Sequence, residues 1–272
     1  MRHGGGLKRQ ALALELDNLV VACRRALART DAALAAPAYG AMWEVLEQQG
    51  PFALGVELGP QLLALGGLSP LDRMTTLGAL ARAWREIGRH HQARACFEEA
   101  LAMARANGDV ARQVDVMNRL TDLLCDQSHR AQAAEIGESA VALARASALT
   151  AAEAAGLGNL AMVHQLQGRI DVALQMHETA LALHRQVGNR ASEAAVHNNL
   201  AVLHHEQGRM AAALEHHRAA LEIYDETDNR VDTAHSLGNV GNVLCDLGRI
   251  EEAREHQEAA LAVHRLVGSR FF

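Results

Sequence analysis

The amino-acid sequence predicts an all-α protein, built as a solenoid of antiparallel helix pairs. Alanine and leucine dominate a chain that is 49% hydrophobic but only 3% aromatic, which favours helices packed closely through small side chains. Only 4 prolines interrupt its 272 residues, a length that suffices for a large core or a stack of repeats. A sequence motif also recurs at a fixed interval, and each copy ends in a residue that stops a helix.

The recurring motif is spaced by forty residues. Its clearest copies are "GNLAMVHQLQGR" (158–169), "NNLAVLHHEQGR" (198–209) and "GNVGNVLCDLGR" (238–249). Five registers hold over five units: an aliphatic slot (Leu80, Leu120, Leu160, Leu200, Val240), a glycine slot (Gly88, Ser128, Gly168, Gly208, Gly248), two alanine slots (Ala93, Ala133, Ala173, Ala213, Ala253; Ala100, Ala140, Ala180, Ala220, Ala260) and a second aliphatic slot (Leu101, Val141, Leu181, Leu221, Leu261). A pattern that recurs at a fixed period indicates architecture before it indicates chemistry.

Each unit is expected to contain two helices, which we name A and B. Before Gly168 apolar residues recur every three or four positions, as on a helix, and glycine ends helix A because it adopts the left-handed conformation without steric cost. Helix B is expected to run from about Ile170 to Gln186, where "GNR" (188–190) forms a second stop. The five units are predicted at 71–110, 111–150, 151–190, 191–230 and 231–270.

The two ends of the chain depart from the repeat. Residues 7–70 are helical in pattern but out of register, and they predict a divergent cap that follows a disordered segment, 1–6. Within this cap, helix 38–50 is expected to end at Gly50, and its partner, 53–70, to be interrupted at Gly59-Pro60. No polar capping helix follows helix 250–266, so its apolar face is expected to be partly bare and to allow self-association.

Composition excludes several classes of function. The net charge of −6 argues against a nucleic-acid-binding protein. The four cysteines (Cys23, Cys96, Cys125, Cys245) form no CxxC motif and are typical of reduced, small hydrophobic residues in a cytoplasmic protein. No apolar run reaches 18 residues and the N-terminus lacks the apolar core of a signal peptide, so neither membrane insertion nor secretion is predicted.

Sequence motifs for metal or cofactor chemistry are also missing. No two of the 15 histidines are three or four residues apart, the spacing that two ligands of one ion need on a helix, so no metal site is predicted. Neither a phosphate-binding GxxxxGK[ST] loop nor the residues of a protein kinase occur, and no cofactor is expected. No catalytic residue is assigned, and the chain is predicted not to be an enzyme.

The repeat resembles the tetratricopeptide repeat, whose pattern is Leu, small residue, aromatic, Gly, Ala, aromatic, Ala. One unit supplies this pattern as Leu80, Ala81, Trp84, Gly88, Ala93, Phe97 and Ala100. Later units place histidine in the aromatic slots (His164, His177, His204, His217), and the period is longer than the common 34 residues. Forty-residue repeats with "NLA" in helix A are similar to the kinesin-light-chain type. The resemblance implies a right-handed superhelix whose A helices line a concave groove.

A second, shorter resemblance concerns the N-terminal segment. The run "ELDNLVVACRRAL" (15–27) is similar to the segment that joins an ATPase or kinase module to the repeat arm of large bacterial signalling proteins. This likeness implies that the chain is such an arm, detached or truncated. Because the phosphate-binding and kinase motifs are missing, any ATPase or kinase activity would have to lie on another chain or a lost segment.

Transferring the groove pattern register by register gives a set of candidate binding residues: Arg82, Arg85, Asn118, Arg119, Asp122, Asn159, Gln165, Asn198, Asn199, His205, Asn239 and Asn242. Among them Asn159, Asn199 and Asn239 occupy one register, which we name the asparagine ladder. Asparagine can donate and accept hydrogen bonds together, which suits the backbone of a bound peptide, but it equally suits a bond to a neighbouring helix. Both roles stay open at this point.

The function predicted from the sequence is a scaffold that binds a protein or peptide partner in the groove, with no nucleic-acid or membrane partner. The alternative is a regulator that senses a short peptide and changes its superhelical pitch. The two differ in whether a short peptide alone shifts the melting temperature of the chain.

Overall fold

The computed structural model describes residues 4–227 and 229–267, and every element in these residues is helical. The helices are α1 (Gly4–Ala28), α2 (Ala32–Gln49), α3 (Ala53–Leu63), α4 (Pro70–Glu86), α5 (His90–Ala106), α6 (Val110–Asp126), α7 (Arg130–Ala146), α8 (Thr150–Leu166), α9 (Ile170–Gln186), α10 (Arg190–Glu206), α11 (Met210–Glu226), α12 (Arg230–Asp246) and α13 (Ile250–Val267). The predicted all-α fold of repeated helix pairs is confirmed. Helices A of the five repeats are α4, α6, α8, α10 and α12, and helices B are α5, α7, α9, α11 and α13.

The helices of the repeats end where the glycine slot and the GNR motif predict. Gly88, Gly168, Gly208 and Gly248 have φ between 72° and 75°, and the backbone N–H of each following arginine bonds the last turn of helix A. Among the described stops of the repeats, two lack glycine and still adopt the left-handed conformation: Ser128 has φ 60° and Ala148 has φ 53°. The turn geometry is therefore imposed by the packed helix pairs, even where the residue disfavours it.

The chain divides into two compact units, residues 1–129 and 130–272. In the first unit, Tyr39, Met42, Trp43 and Leu46 of α2 form the centre of a core cluster with residues of α1, α3 and α4. In the second unit, α8 packs on α9, α10 on α11 and α12 on α13, and each helix B also contacts the next helix A. Alanines of the repeat slots are buried along these contacts, so neighbouring helices approach closely.

Two N-terminal predictions are corrected by the structure. Helix α1 begins at Gly4, so residues 4–6 are helical where disorder was expected, because extending an existing helix adds one hydrogen bond for each residue that is fixed. Met1–His3 lie outside the described residues, as do 268–270 of the fifth unit.

Helix α3 runs through Gly59-Pro60 without a break, which also differs from the prediction. Its buried face explains the continuity: a Cβ added at Gly59 would lie 2.7 Å from the Tyr39 hydroxyl and 3.0 Å from Leu80 Cδ1. Glycine is required there because α2 and α4 approach the helix so closely. Tertiary packing thus overrides the low helix propensity of the dipeptide.

No helix within the described ranges is long and apolar enough to span a bilayer.

Candidate functional site

The asparagine ladder lies entirely within the second unit, on α8, α10 and α12. Asn159, Asn199 and Asn239 are each half-buried. Within residues 4–227 and 229–267, the side-chain amides of Asn199 and Asn239 form no hydrogen bond. A partly buried amide with unused donors and acceptors is positioned to bond a ligand without first breaking an internal contact.

Asn198, the neighbour of Asn199, has a different environment. Its Oδ1 accepts a hydrogen bond of 2.7 Å from His217 Nδ1 of α11 and one of 3.3 Å from Ser236 Oγ of α12. Because Oδ1 is an acceptor, Nδ1 of His217 carries the hydrogen. Burial lowers the pKa of His217 to about 4, which keeps this histidine neutral. Asn198 therefore joins three helices, and its side-chain oxygen is already in use.

Asn242 and Gln165 also have partners in neighbouring helices. The Asn242 Oδ1 accepts a bond of 3.0 Å from Gln257 Nε2, which also donates to the Gly238 carbonyl oxygen at 3.1 Å. Gln165 Nε2 donates to Glu206 of the next repeat at 3.1 Å. These two predicted groove residues are thus partly engaged within the protein.

Three of the contacts between successive A helices follow one rule. Arg85 Nε donates to Asp126 at 2.6 Å, Gln165 bonds Glu206, and His205 Nε2 lies 2.7 Å from Asp246. Each pair joins positions 41 residues apart. A side chain at one position of helix A therefore contacts the side chain one position later in the register of the next helix A. Such half-exposed pairs contribute little stability individually, but they fix how consecutive A helices are aligned.

The candidates in the first unit lie on α4 and α6. Arg82 forms an ion pair with Glu47 and lies 5.0 Å above the ring of Trp43. Burial and the nearby charge of Arg119 lower the pKa of Arg82, although Glu47 opposes this effect. Arg119 itself bonds Asp115 of its own helix at 3.1 Å.

Asp122 and Asn118 are the remaining candidates of the first unit. Burial raises the pKa of Asp122 to about 6, and the guanidinium of Arg85, 4.0 Å away, opposes the shift. Asn118 is only 7% exposed. Asn118 precedes the groove-facing register by one residue, which turns its side chain by about 100° around the helix. It therefore lies inside the packed helices.

Exposed apolar side chains, which the sequence pattern did not identify, lie beside the ladder. Met162 is 45% exposed and Leu166 is 41% exposed, both on α8. They follow Asn159 by three and seven positions, so all three residues share one face of the helix. Helical spacing from the ladder could have identified them, but the transferred pattern selected polar residues only.

A cluster of histidines lies behind the ladder, between α9, α10 and α11. His197 Nδ1 is 2.9 Å from His216 Nδ1, and the ring of His216 stacks on that of His204 with centroids 5.3 Å apart. Arg185 Nη2 lies 3.0 Å from His197 Nε2. Since arginine only donates, Nε2 accepts, so His197 carries its hydrogen on Nδ1 and donates it to His216.

This histidine pair is unsuited to a metal ion. A metal bound at Nδ1 of His197 would force the hydrogen onto Nε2, against the arginine donor. Burial lowers the pKa of His197 to about 4, so His197 is neutral in the fold, and burial also lowers the pKa of His216. Within the described residues no group of three or more histidine, cysteine, aspartate or glutamate side chains could hold a metal ion. Spacing along single helices had not shown that two histidines of different helices meet.

Sequence profiles of the tetratricopeptide repeat match residues 152–226, 73–108 and 233–268, together more than half of the chain. Similar solved structures include a putative kinesin light chain of Podospora anserina with nearly identical TPR-like repeats (19% identity, TM-score 0.58), which covers 75% of this chain and 100% of that one. A Rap protein complexed with Competence and Sporulation Factor has 12% identity and a TM-score of 0.67, over 96% of this chain and 78% of that one.

Aspartyl phosphate phosphatase F from Bacillus subtilis is also similar, with 13% identity and a TM-score of 0.65 over 96% of this chain and 73% of that one. At these identities the likeness shows a shared fold. No curated protein sequence matches the chain.

Proposed function

Because the chain belongs to the tetratricopeptide repeat family, we propose that it is a non-enzymatic scaffold that binds a segment of a partner protein along α8, α10 and α12. The observation that carries the proposal is the pair of unengaged amides at Asn199 and Asn239, half-buried on successive A helices. The exposed side chains of Met162 and Leu166 extend the same surface with apolar area. We name this surface, Asn159, Met162, Leu166, Asn199 and Asn239, the ladder face.

The chemistry of the ladder face sets what it can bind. Asn199 and Asn239 can each accept from a backbone N–H and donate to a backbone C=O, so a polypeptide with unsatisfied main-chain groups fits this surface. The apolar side chains on α8 favour a hydrophobic residue at one end of the bound segment. We propose an extended segment with a hydrophobic residue that contacts α8 and polar residues that follow along α10 and α12.

The experiment compares adjacent asparagines. A peptide-display library selected against the wild-type chain supplies the ligand, and its affinity is measured for the double variant Asn199→Ala/Asn239→Ala. Loss of two hydrogen bonds at about 1 kcal/mol each should weaken binding roughly tenfold or more, with the melting temperature nearly unchanged. If the double variant melts much lower or binds the ligand as tightly as the wild type, the ladder is structural.

A second candidate function is a regulator that responds to a short ligand. The Rap protein complexed with Competence and Sporulation Factor supports it, because its fold extends over nearly all of this chain. This function predicts that short peptides alone raise the melting temperature and change the radius of gyration. A peptide bound to a scaffold also raises the melting temperature, because it stabilises the folded chain. The change in the radius of gyration, and not the thermal shift expected from the sequence, therefore separates the two functions.

We further propose that the chain acts in the cytoplasm as the repeat arm of a bacterial signalling protein. The likeness of its N-terminal segment to those proteins supports this role, and the lack of a nucleotide-binding motif agrees with catalysis by another chain or segment. The reading frames that flank the coding sequence test it, because an adjacent ATPase or kinase module is expected. Since one similar fold is named an aspartyl phosphate phosphatase, hydrolysis of an aspartyl phosphate by the purified chain would contradict the non-enzymatic assignment.

A further inference from the structure

The fourth repeat places two histidines face to face between its own two helices. His197 of α10 and His216 of α11 are 19 residues apart in sequence, and their Nδ1 atoms lie 2.9 Å apart. In the other four repeats the same two slots hold Leu77 and Cys96, Met117 and Ile136, Leu157 and Met176, and Leu237 and His256. A pair of histidines at this position is therefore specific to the fourth repeat and is not required by the repeat fold.

The hydrogen positions of this contact are fixed from α9. Arg185 Nη2 lies 3.0 Å from His197 Nε2, and arginine only donates, so Nε2 accepts and Nδ1 of His197 carries the hydrogen. Nδ1 of His216 must then be an acceptor, and a neutral His216 carries its hydrogen on Nε2. A protonated His216 carries hydrogens on both nitrogens, so two donors would face each other across the same 2.9 Å.

Arg185 is held in place by a chain of ion pairs. Its Nε donates to Glu193 at 2.9 Å, and Glu193, which is only 5% exposed, also accepts from Arg190 at 2.7 Å. Removing Arg185 from His197 would disturb this buried carboxylate, which is costly. His216 is half-buried, so its side chain is the partner that can move into solvent.

Ionisable groups face His216 from α9 and α10 and from its own helix. Its ring stacks on that of His204 of α10, with centroids 5.3 Å apart. Burial lowers the pKa of His216, and His204 and Arg185 act in the same direction, whereas Glu215 of α11 and Glu178 of α9 oppose them. The core contacts that α11 receives from α12 are aliphatic: Val240, Val243 and Leu244. The surroundings therefore favour the neutral imidazole in the closed contact.

We propose that the contact of His197 with His216 is a pH-sensitive switch that holds α10 against α11, and we name it the histidine latch. Above about pH 6.5 His216 is neutral and accepts from His197, so the latch is closed. As the pH falls, protonation turns Nδ1 of His216 from an acceptor into a donor, and its ring leaves His197 and His204 for solvent. Proton uptake then loosens α11 from α10, while the bond of Arg185 to Glu193 still holds α9 on α10.

A titration of His216 tests the latch at its own atoms. Its imidazole resonance, assigned by its loss in His216→Met, is followed by nuclear magnetic resonance from about pH 8 to about pH 4.5, across the ordinary range of histidine. In the wild type His216 should titrate below that ordinary value. In His197→Leu, which supplies the side chain of Leu157 in the third repeat, no imidazole donates to Nδ1, so the pKa of His216 should lie nearer its ordinary value.

The matched control for the titration is His177→Phe. It removes a buried histidine of α9 that is not part of the latch, and it supplies the side chain that the first repeat has as Phe97. The titration of His216 should be the same in this variant as in the wild type.

Opening of the latch is measured by hydrogen exchange of the α11 amides, corrected for the intrinsic pH dependence of exchange. Since an open His216 has an ordinary pKa near 6.5, the opening equilibrium should rise by up to roughly tenfold between pH 7 and pH 5.5. The double variant His197→Leu/His216→Met, which carries the side chains of the third repeat, should lose most of this rise. Every other buried histidine is present in both proteins, so the difference between them reports the latch.

Two results would overturn the proposal. One is a His216 that titrates at the same pH in the wild type and in His197→Leu, because the contact would then not control its protonation. The other is an equal rise of α11 exchange in the wild type and in the double variant, which would assign the acid sensitivity to the other buried histidines. Neither readout involves a bound partner, so the latch and the ladder face can fail independently.

Discussion

At the scale of single residues, the same side chain has different roles at adjacent positions. Asn198 and Asn199 are neighbours on α10, yet Asn198 accepts two hydrogen bonds from other helices and Asn199 accepts none within the described residues. One helical residue turns a side chain by about 100°, which moves it from an interhelical contact to the accessible face. Residue type alone therefore cannot separate a binding asparagine from a structural one.

This difference predicts that two alanine substitutions change the free energy of unfolding by unequal amounts. Asn198→Ala removes the acceptor of His217 Nδ1–H and leaves a buried donor unsatisfied, so the free energy of unfolding should fall by about 1–3 kcal/mol. Asn199→Ala should change it by less than about 0.5 kcal/mol. Urea denaturation followed by circular dichroism measures both. Equal destabilisation by the two substitutions would contradict the assignment of Asn199 to the ladder face.

At the scale of elements, helix ends followed from the sequence and helix contacts did not. The glycine slots located the stop of each A helix, because left-handed backbone is a local preference. The continuity of α3 through Gly59-Pro60 was not predictable, since it depends on Tyr39 of α2 and Leu80 of α4. Neither contact is close in sequence, so a local pattern carries no information about them.

The stop after α7 predicts a stabilising substitution. Ala148 has φ 53° and Gly188, forty residues later, has φ 68°, with equivalent hydrogen bonds to the preceding helix. Because alanine is strained in this region, Ala148→Gly should raise the free energy of unfolding by about 0.5–1 kcal/mol. The reciprocal control, Gly188→Ala, should lower it by about 1 kcal/mol. Differential scanning calorimetry of both variants would refute the prediction if their melting temperatures moved in the same direction.

At the scale of the whole molecule, histidines make stability depend on pH. In the second unit, burial is the main cause that lowers the pKa of seven histidines: His164, His177, His184, His197, His204, His216 and His217. For His177, His197 and His217 the pKa falls to about 4. The unfolded chain takes up protons below about pH 6.5, while the folded unit takes up fewer at these seven sites, and His177, His197 and His217 stay neutral down to about pH 4. Their contribution is complete above pH 6.5 and is lost as the pH falls towards 4.

Asp122 in the first unit should act in the opposite direction. Burial raises its pKa to about 6, so the folded unit holds a proton that the unfolded chain releases above its ordinary value near 3.8. That contribution to stability is present at low pH and is lost as the pH rises through about 6. Acid should therefore destabilise the second unit before the first.

The test of this pH dependence uses His177→Phe. Phenylalanine occupies the equivalent slot in the first repeat, as Phe97, and His177 Nδ1 has no partner in the described part of the chain. The substitution should reduce the loss of unfolding free energy between pH 6.5 and pH 5 by roughly 1.4 kcal/mol per pH unit. Urea denaturation across this range measures it. A slope equal to that of the wild type would show that His177 is not neutral in the fold.

The sequence by itself determined the repeat, the helix pairs and the positions of their stops, because periodicity, small residues and glycine act locally. It also gave the ladder register, since equivalent positions in a repeat share a face. The tertiary structure alone decided which of these asparagines are engaged and that His197 meets His216. Each of these facts depends on side chains of other helices at distances that a linear pattern does not contain.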